Sequence, residues 1–174
     1  MYKQHCMTNL CVIPVLWMGM QDTPFPFSIK ITFLCSYLVG TFLLSPDLDL
    51  YHSIPSRNWG ILRILWLPYS KIFRHRGWSH IPLVGGFTRL SYVLLLAVVF
   101  FLGGRYLVAW QQDGSMSNPM LLFEKIIGSV RGYEAFIVAG FAGQACADTV
   151  HLISDLVYSL SRKLGFGKKR VRRS

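Results

Sequence analysis

The chain has 174 residues, of which 52% are hydrophobic and only 15% are charged. Soluble globular domains carry about 25% charged residues, so this composition argues against an ordinary soluble domain and predicts an integral membrane protein. The four cysteines have no CxxC spacing and lie mostly in apolar runs, which argues against a disulfide framework.

Four apolar runs predict an all-α fold, a polytopic membrane protein built as a bundle of about four transmembrane helices. The first run, about Met7 to Met20, is short, because a span needs about 20 residues. The others extend over 28–44, 81–103 and 134–160. We expect residues 1–160 to form one transmembrane helical domain, with a loop over 47–80 and a basic tail over 161–174.

Shorter patterns lie between and within these spans. Ile61 to Phe73 mixes apolar residues with Arg63 and Lys71, a pattern typical of a segment that lies along a membrane surface. Leu121 to Ile127 predicts a short surface helix. In the fourth span Gly140, Gly143 and Ala147 share one helical face, which favours close helix packing.

The positive charges predict the orientation in the membrane. Of the 18 Lys and Arg residues, five lie between Arg57 and Arg76 and seven between Arg162 and Arg173. Because Lys and Arg favour the cytoplasmic side of a membrane, both segments are placed inside. Four spans then put both termini in the cytoplasm, in a multi-pass protein of a plasma, inner or thylakoid membrane.

This orientation gathers the acidic and imidazole side chains at the cytoplasmic face. Such residues are costly to place at a membrane and usually have a function there. We therefore predict a divalent metal site, with zinc first and Mn, Fe or Ni also suited to mixed nitrogen and oxygen ligands. The candidate ligands are His5, Asp47, Asp49, His75, His80, His151 and Asp155.

Gln144, Asp148, His151 and Asp155 form one stripe along the fourth helix. A helix end at the lipid headgroups would account for Asp155, but Asp148 lies about two turns deeper. The stripe is therefore expected to face the interior of the bundle. Asp148 and Asp49 are the candidate catalytic bases, because the candidate ligands exceed the needs of one tetrahedral zinc and an Asp that is not used as a ligand could accept a proton from bound water.

Two motifs before the third span carry alternatives. Ser45-Pro46-Asp47 is typical of a helix start, whereas an extended Asp47-x-Asp49 would point both carboxylates to one side, as ligands. His75 and His80 are five residues apart, so Gly77 must break the helix for them to converge. They could also be two surface histidines near lipid headgroups. Arg76 is the candidate anion-binding residue, because a guanidinium binds phosphate in a bidentate manner.

These motifs resemble a bacterial family, common in cyanobacteria, of uncharacterised membrane metal-binding proteins. The resemblance covers roughly residues 40 to 156 and rests on SPDLDL, on R-x-W-G-x-L-R-x-L-W-x-P-Y from Arg57, on HRGWSH and on a late H-x-x-x-D. The family looks related to the YdjM-like membrane-bound metal-dependent hydrolases. Its members tend to begin with a His-Asp pair, where this chain has His5 followed by Cys6.

The function that these patterns favour is metal-dependent hydrolysis of a phosphoester, with a lipid headgroup as one candidate substrate and membrane lipid as the partner. The alternative is a non-catalytic protein that binds or senses metal, or whose metal ties helices together. The basic tail is predicted to anchor the chain at anionic lipid. Nucleic-acid binding is disfavoured, because no folded module stands beside the tail.

Overall fold

A computed structural model describes residues 2–73, 81–111, 124, 128 and 130–164, and within these ranges every regular element is helical. Two of the elements are short 3₁₀ helices, η1 (Pro46–Asp49) and η2 (Gly60–Trp66). The α-helices with continuous bounds are α1 (Tyr2–Gln21), α2 (Phe27–Phe42), α3 (Ile54–Asn58), α4 (Leu67–Ile72), α5 (Pro82–Gln111) and α6 (Glu134–Lys163). The predicted all-α fold class is confirmed.

The turn between α1 and α2 follows from its two prolines. Pro26 has an extended backbone and is the residue immediately before α2. A proline has no backbone N–H and therefore cannot continue a preceding helix. The Lys30 ammonium group donates a hydrogen bond to the Gln21 carbonyl oxygen over 3.2 Å, which satisfies one of the free carbonyls at the end of α1. Trp17 near the end of α1 packs on Phe27 at the start of α2, and Tyr37 donates a hydrogen bond to Asn9, so the two helices run in opposite directions.

Helices α2 and α6 pack closely at glycine positions. A side chain on Gly143 would overlap the backbone carbonyl of Phe33, and the Ser36 hydroxyl donates a hydrogen bond to the Gly140 carbonyl oxygen. Ala147 is also buried. The predicted packing role of this small-residue face is confirmed, with α2 as the partner helix.

Two helices in the described part of the chain are long and apolar enough to cross a membrane, over Leu83–Val108 and Glu134–Lys163. Helix α2 is apolar but has 16 residues, fewer than the roughly 20 that a span needs. Helix α1 has 20 residues and carries a buried His5 and Asn9 in its first half. The bundle of four transmembrane helices therefore stays a prediction.

The connection between α2 and α5 has its own small core. Leu44, Leu48, Trp66 and Tyr69 are buried together, and the Tyr92 hydroxyl of α5 donates a hydrogen bond to the Leu65 carbonyl oxygen. This core holds η1, η2 and α4 against α5. It thereby fixes the position of Asp47 and Asp49, which lie in η1.

Candidate metal centre

Three side chains, from two helices that are far apart in the sequence, have their ligand atoms close together. His5, His151 and Asp155 each offer one nitrogen or oxygen atom, and all three atoms lie within 4.8 Å of one another. His5 Nε2 is 3.2 Å from Asp155 Oδ1, and His151 Nε2 is 3.6 Å from Asp155 Oδ2. We call these three residues the His-Asp cluster.

The helices explain how the cluster forms. His151 and Asp155 are four residues apart on α6 and therefore lie on the same face, one turn from each other. His5 comes from the first turns of α1, and its ring lies 4.4 Å from that of His151, centroid to centroid. Both imidazoles are buried, whereas the Asp155 side chain is 40% exposed, so the cluster has one open side.

The spacing of the ligand atoms fits a metal ion. Tetrahedral zinc holds its nitrogen and oxygen ligands at about 2.0–2.2 Å, which places neighbouring ligand atoms roughly 3.3–3.6 Å apart. His5 Nε2 is 3.2 Å from Asp155 Oδ1 and His151 Nε2 is 3.6 Å from Asp155 Oδ2, so each imidazole lies close to that separation from a different oxygen of the carboxylate. His5 Nδ1 is buried and has no hydrogen-bond partner among the described residues. The donor set is also the mixed nitrogen and oxygen type that divalent transition metals accept.

Asp47 stands beside the cluster, and Asp49 lies two residues further along the same 3₁₀ turn. Asp47 Oδ1 is 3.8 Å from His151 Nε2, while Asp49 is buried, and its negative charge acts on Tyr69. The extended geometry considered for Asp47-x-Asp49 is wrong, because Pro46–Asp49 forms a 3₁₀ turn. Residues two apart in such a turn point in different directions, so the two carboxylates separate.

Asp148 is held by a buried network below the cluster. It forms an ion pair with Arg89 of α5, and both side chains are buried. Gln144 Nε2 donates hydrogen bonds to Asp148 Oδ1 over 3.2 Å and to the Leu44 carbonyl oxygen over 3.0 Å. The network therefore ties α6 both to α5 and to Leu44, two residues before the η1 segment that carries Asp47.

Tyr69 is buried between η1 and α5, in one cluster with Leu48 of η1 and in contact with Thr88 of α5. Burial raises the pKa of Tyr69, with the Thr88 hydrogen bond and the Arg89 charge acting in the opposite direction. Its hydroxyl lies 3.1 Å from the Thr88 hydroxyl, which itself donates to the Gly85 carbonyl oxygen. Tyr69 therefore stays protonated at neutral pH and donates a hydrogen bond to Thr88.

Several predicted residues lie outside the part of the chain that the structure describes. They are His75, His80 and Arg76, together with most of the 161–174 tail and the surface helix expected over 121–127. Their roles stay predictions, as do the catalytic roles of Asp148 and Asp49. The structure therefore brings together His5, Asp47, His151 and Asp155 from the predicted ligand set.

Arg89 is the residue that sequence reasoning missed. The signal was present, since Arg89 is the one charged residue in the predicted third span and Asp148 is the deepest charged residue of the stripe in the fourth. Opposite charges within membrane helices usually pair with each other.

Comparisons with known proteins agree with a metal site. The model of the family described as "Uncharacterized metal-binding protein (DUF2227)" matches residues 2–164. A protein of Aquifex aeolicus, named "Uncharacterized protein", is 32% identical over 142 residues, which cover 79% of this chain and 97% of the relative. No solved structure matches the chain. The relation to YdjM-like hydrolases stays a prediction.

Proposed function

The chain belongs to the family of uncharacterized metal-binding proteins, and from that premise we propose that it is a membrane-embedded, metal-dependent hydrolase of phosphoesters. One observation carries the proposal. The His-Asp cluster supplies two imidazoles and one carboxylate within 4.8 Å, and its carboxylate faces the open side. Catalytic zinc sites commonly use three protein ligands and keep a further position for water or substrate.

The residues divide into metal ligands and a proton acceptor. His5, His151 and Asp155 would hold the metal, and a divalent metal in this position supplies a Lewis acid that polarises a phosphoryl oxygen and makes water more acidic. Asp47 lies 3.8 Å from His151 Nε2 and outside the three-atom group, so we assign it the role of accepting a proton from water. This replaces Asp148 as the leading base, because Asp148 is engaged by Arg89 and Gln144.

The distribution of polarity favours a membrane location. Polar side chains such as Asn9, Arg89 and Gln144 are buried, while large apolar side chains such as Val15, Phe27 and Leu94 are more than half exposed. Charged residues of water-soluble proteins are almost never fully buried unless they are paired, as Arg89 is with Asp148, so the exposed apolar side chains are the part of this pattern that favours a bilayer. In a bilayer the exposed apolar surface of α1, α2, α5 and α6 would contact lipid, as the multi-pass topology with cytoplasmic termini requires.

A non-catalytic metal-binding protein is the second candidate function. The ion pair between Arg89 and Asp148 favours it, because that pair removes the deep carboxylate from the set of available bases. In this case the metal would tie α1 to α6, and the role of Asp47 would be to orient His151.

A comparison of two aspartate variants separates these functions. Purified protein in detergent, loaded with zinc or manganese, would be assayed on a chromogenic phosphodiester and on phospholipid in mixed micelles. We expect Asp155→Asn to lose both metal and turnover, and Asp47→Asn to keep the metal but lose turnover at least 100-fold, the typical contribution of a general base. His52→Ala serves as the control, because His52 is exposed and packs on Tyr51 instead of joining the cluster. Metal-loaded wild-type protein that cleaves none of these substrates would refute hydrolysis of these phosphoesters and favour the non-catalytic function.

A further inference from the structure

The segment from α3 to α4 is held firmly on its inner side. Asn58 and the Trp59 indole donate hydrogen bonds to the Phe42 and Leu43 carbonyl oxygens at the end of α2, each over 2.9 Å. Trp66 and Tyr69 are fully buried against α5. The conformation of the segment is therefore fixed by contacts within the chain.

The outer side of the same segment is apolar and uncovered. Ile61 is 92% exposed, and Leu62, Ile64 and Ile72 are each more than half exposed. Ile61 and Ile64 lie three residues apart in η2, so their side chains are aligned on one edge of the 3₁₀ helix. We call Ile61, Leu62, Ile64 and Ile72 the η2 surface. Contiguous exposed apolar residues of this kind mark a binding surface.

The charged residues of the 54–73 segment that carries the η2 surface are all positive. Arg57 and Lys71 are exposed near its two ends, and Arg63 lies over the Tyr51 ring with its guanidinium carbon 5.3 Å from the ring centroid. Residues 54–73 contain no Asp or Glu. An isologous interface between two copies would bring these like charges together, whereas an anionic lipid surface is complementary to them.

We propose that the η2 surface inserts into the anionic leaflet of the membrane in which α5 and α6 reside. The inference rests on the membrane location in the proposed function. It adds a lipid partner, which is bound by apolar side chains at the acyl boundary and by Arg57 and Lys71 at the phosphates. Trp59 and Tyr92 are half-buried beside it and pack on Trp66, and Trp and Tyr are the residues enriched at membrane interfaces.

This placement also sets the depth of the metal centre. Tyr92 lies three residues from Arg89 on α5, and Asp148, the partner of Arg89, lies three residues from His151 on α6. At 1.5 Å per residue the His-Asp cluster is on the order of 9 Å to the aqueous side of Tyr92. The headgroup layer is about 5–8 Å deep on each side of the hydrocarbon core, so the cluster lies at its outer edge, and phosphodiesters of phospholipids are the substrate class that the site can reach.

Photocrosslinking in nanodiscs tests the lipid partner directly. Full-length protein with Ile61→p-benzoylphenylalanine or Ile64→p-benzoylphenylalanine would be placed in nanodiscs of equal parts phosphatidylglycerol and phosphatidylcholine. After irradiation, adducts would be identified by intact-protein mass spectrometry. We expect phospholipid adducts at both positions, with phosphatidylglycerol in excess. Tyr69→p-benzoylphenylalanine is the matched control on the buried side of the segment and should give no lipid adduct. Arg57→Gln/Lys71→Gln should reduce the phosphatidylglycerol excess by roughly fivefold for each charge removed.

The outcomes separate this inference from the metal function. Crosslinked dimers in place of lipid adducts would show that a second copy covers the η2 surface and would overturn the inference. If the excess of phosphatidylglycerol adducts is unchanged in Arg57→Gln/Lys71→Gln, the inference that the lipid partner is anionic is refuted. Metal content is measured on the same samples: metal-containing protein without lipid adducts refutes the η2 surface alone, while lipid adducts on protein that binds no metal support the surface and refute the centre.

Discussion

At the scale of single residues, the Arg89–Asp148 pair explains how two charged side chains exist inside apolar helices. Each is fully desolvated, and the cost of burying either one alone is large. Together, and with Gln144 donating to the same carboxylate, they satisfy most of one another's requirements. The pair is therefore expected to contribute to the stability of the fold and only indirectly to the metal centre.

Asp148→Asn tests this structural role. The variant leaves the Arg89 charge buried without a counter-charge, so the metal-free protein should lose about 3–5 kcal/mol of unfolding free energy. The paired replacement Arg89→Leu/Asp148→Leu should recover most of that loss, because both charges are then absent. The measurement is denaturant unfolding in detergent.

Asp155→Asn is the matched control for that experiment, since its side chain is 40% exposed and should change the stability of the metal-free protein by less than about 1 kcal/mol. Equal stability of Asp148→Asn and wild-type protein would show that the Arg89 pair contributes nothing.

The sequence alone predicts which side chains lie on a common face when they belong to one continuous helix. The four-three-four spacing from Gln144 to Asp155 fixes a common face on any continuous helix, and α6 is continuous over that range. The sequence alone does not predict which side chains of two different helices contact each other. The contact between His5 and Asp155 joins positions 150 residues apart, and only the folded bundle determines which side chain of α1 meets α6.

At the scale of helices, the contact between α2 and α6 positions the cluster. Gly143 lies two turns from His151 on α6, and its missing side chain lets α6 approach the Phe33 backbone. A displacement of α6 at this point would move His151 and Asp155 relative to His5. Close packing and ligand geometry are therefore linked.

Gly143→Ala should push the two helices apart. We expect a loss of about 1–3 kcal/mol, the usual cost of overpacking, together with weaker metal binding. Gly140→Ala is the matched control one turn away, since its added carbon would lie 3.9 Å from the Ser36 hydroxyl oxygen, an ordinary contact. Thermal unfolding and metal titration of both variants provide the measurements. If the two variants behave alike, the close approach at Gly143 does not control the site.

Helix positions were more predictable than local conformation in the connections. The apolar runs located α2 and α6 to within a few residues, although α6 continues past Leu160 to Lys163 and α5 continues past the predicted end at Gly103 to Gln111. The backbone of Ser45–Asp49 was ambiguous, because the same residues suit an extended pair of ligands and a helix start. The buried Leu48, packed on Trp66 and Tyr69, selects the 3₁₀ turn, and that contact depends on residues 18 and 21 positions away.

At the scale of the whole molecule, the orientation in the membrane is the least tested part of the proposed function. The twelve positive charges of the 57–76 and 162–173 segments predict that both face the cytoplasm. Reporter fusions after Gly114 and after Ser174 should therefore report opposite sides of the membrane. If both fusions report the same side, the number of spans is wrong and the cytoplasmic location of the centre is refuted.

The metal centre itself is the central claim, and metal analysis of the purified protein tests it most directly. After loading with zinc and removal of excess metal, the wild-type chain should contain about one metal ion per protein, measured by inductively coupled plasma mass spectrometry. His5→Ala and His151→Ala should each lose most of it, because α1 and α6 contribute to one site, whereas His52→Ala should retain it. Metal-free wild-type protein, or full occupancy in His5→Ala, would contradict the account.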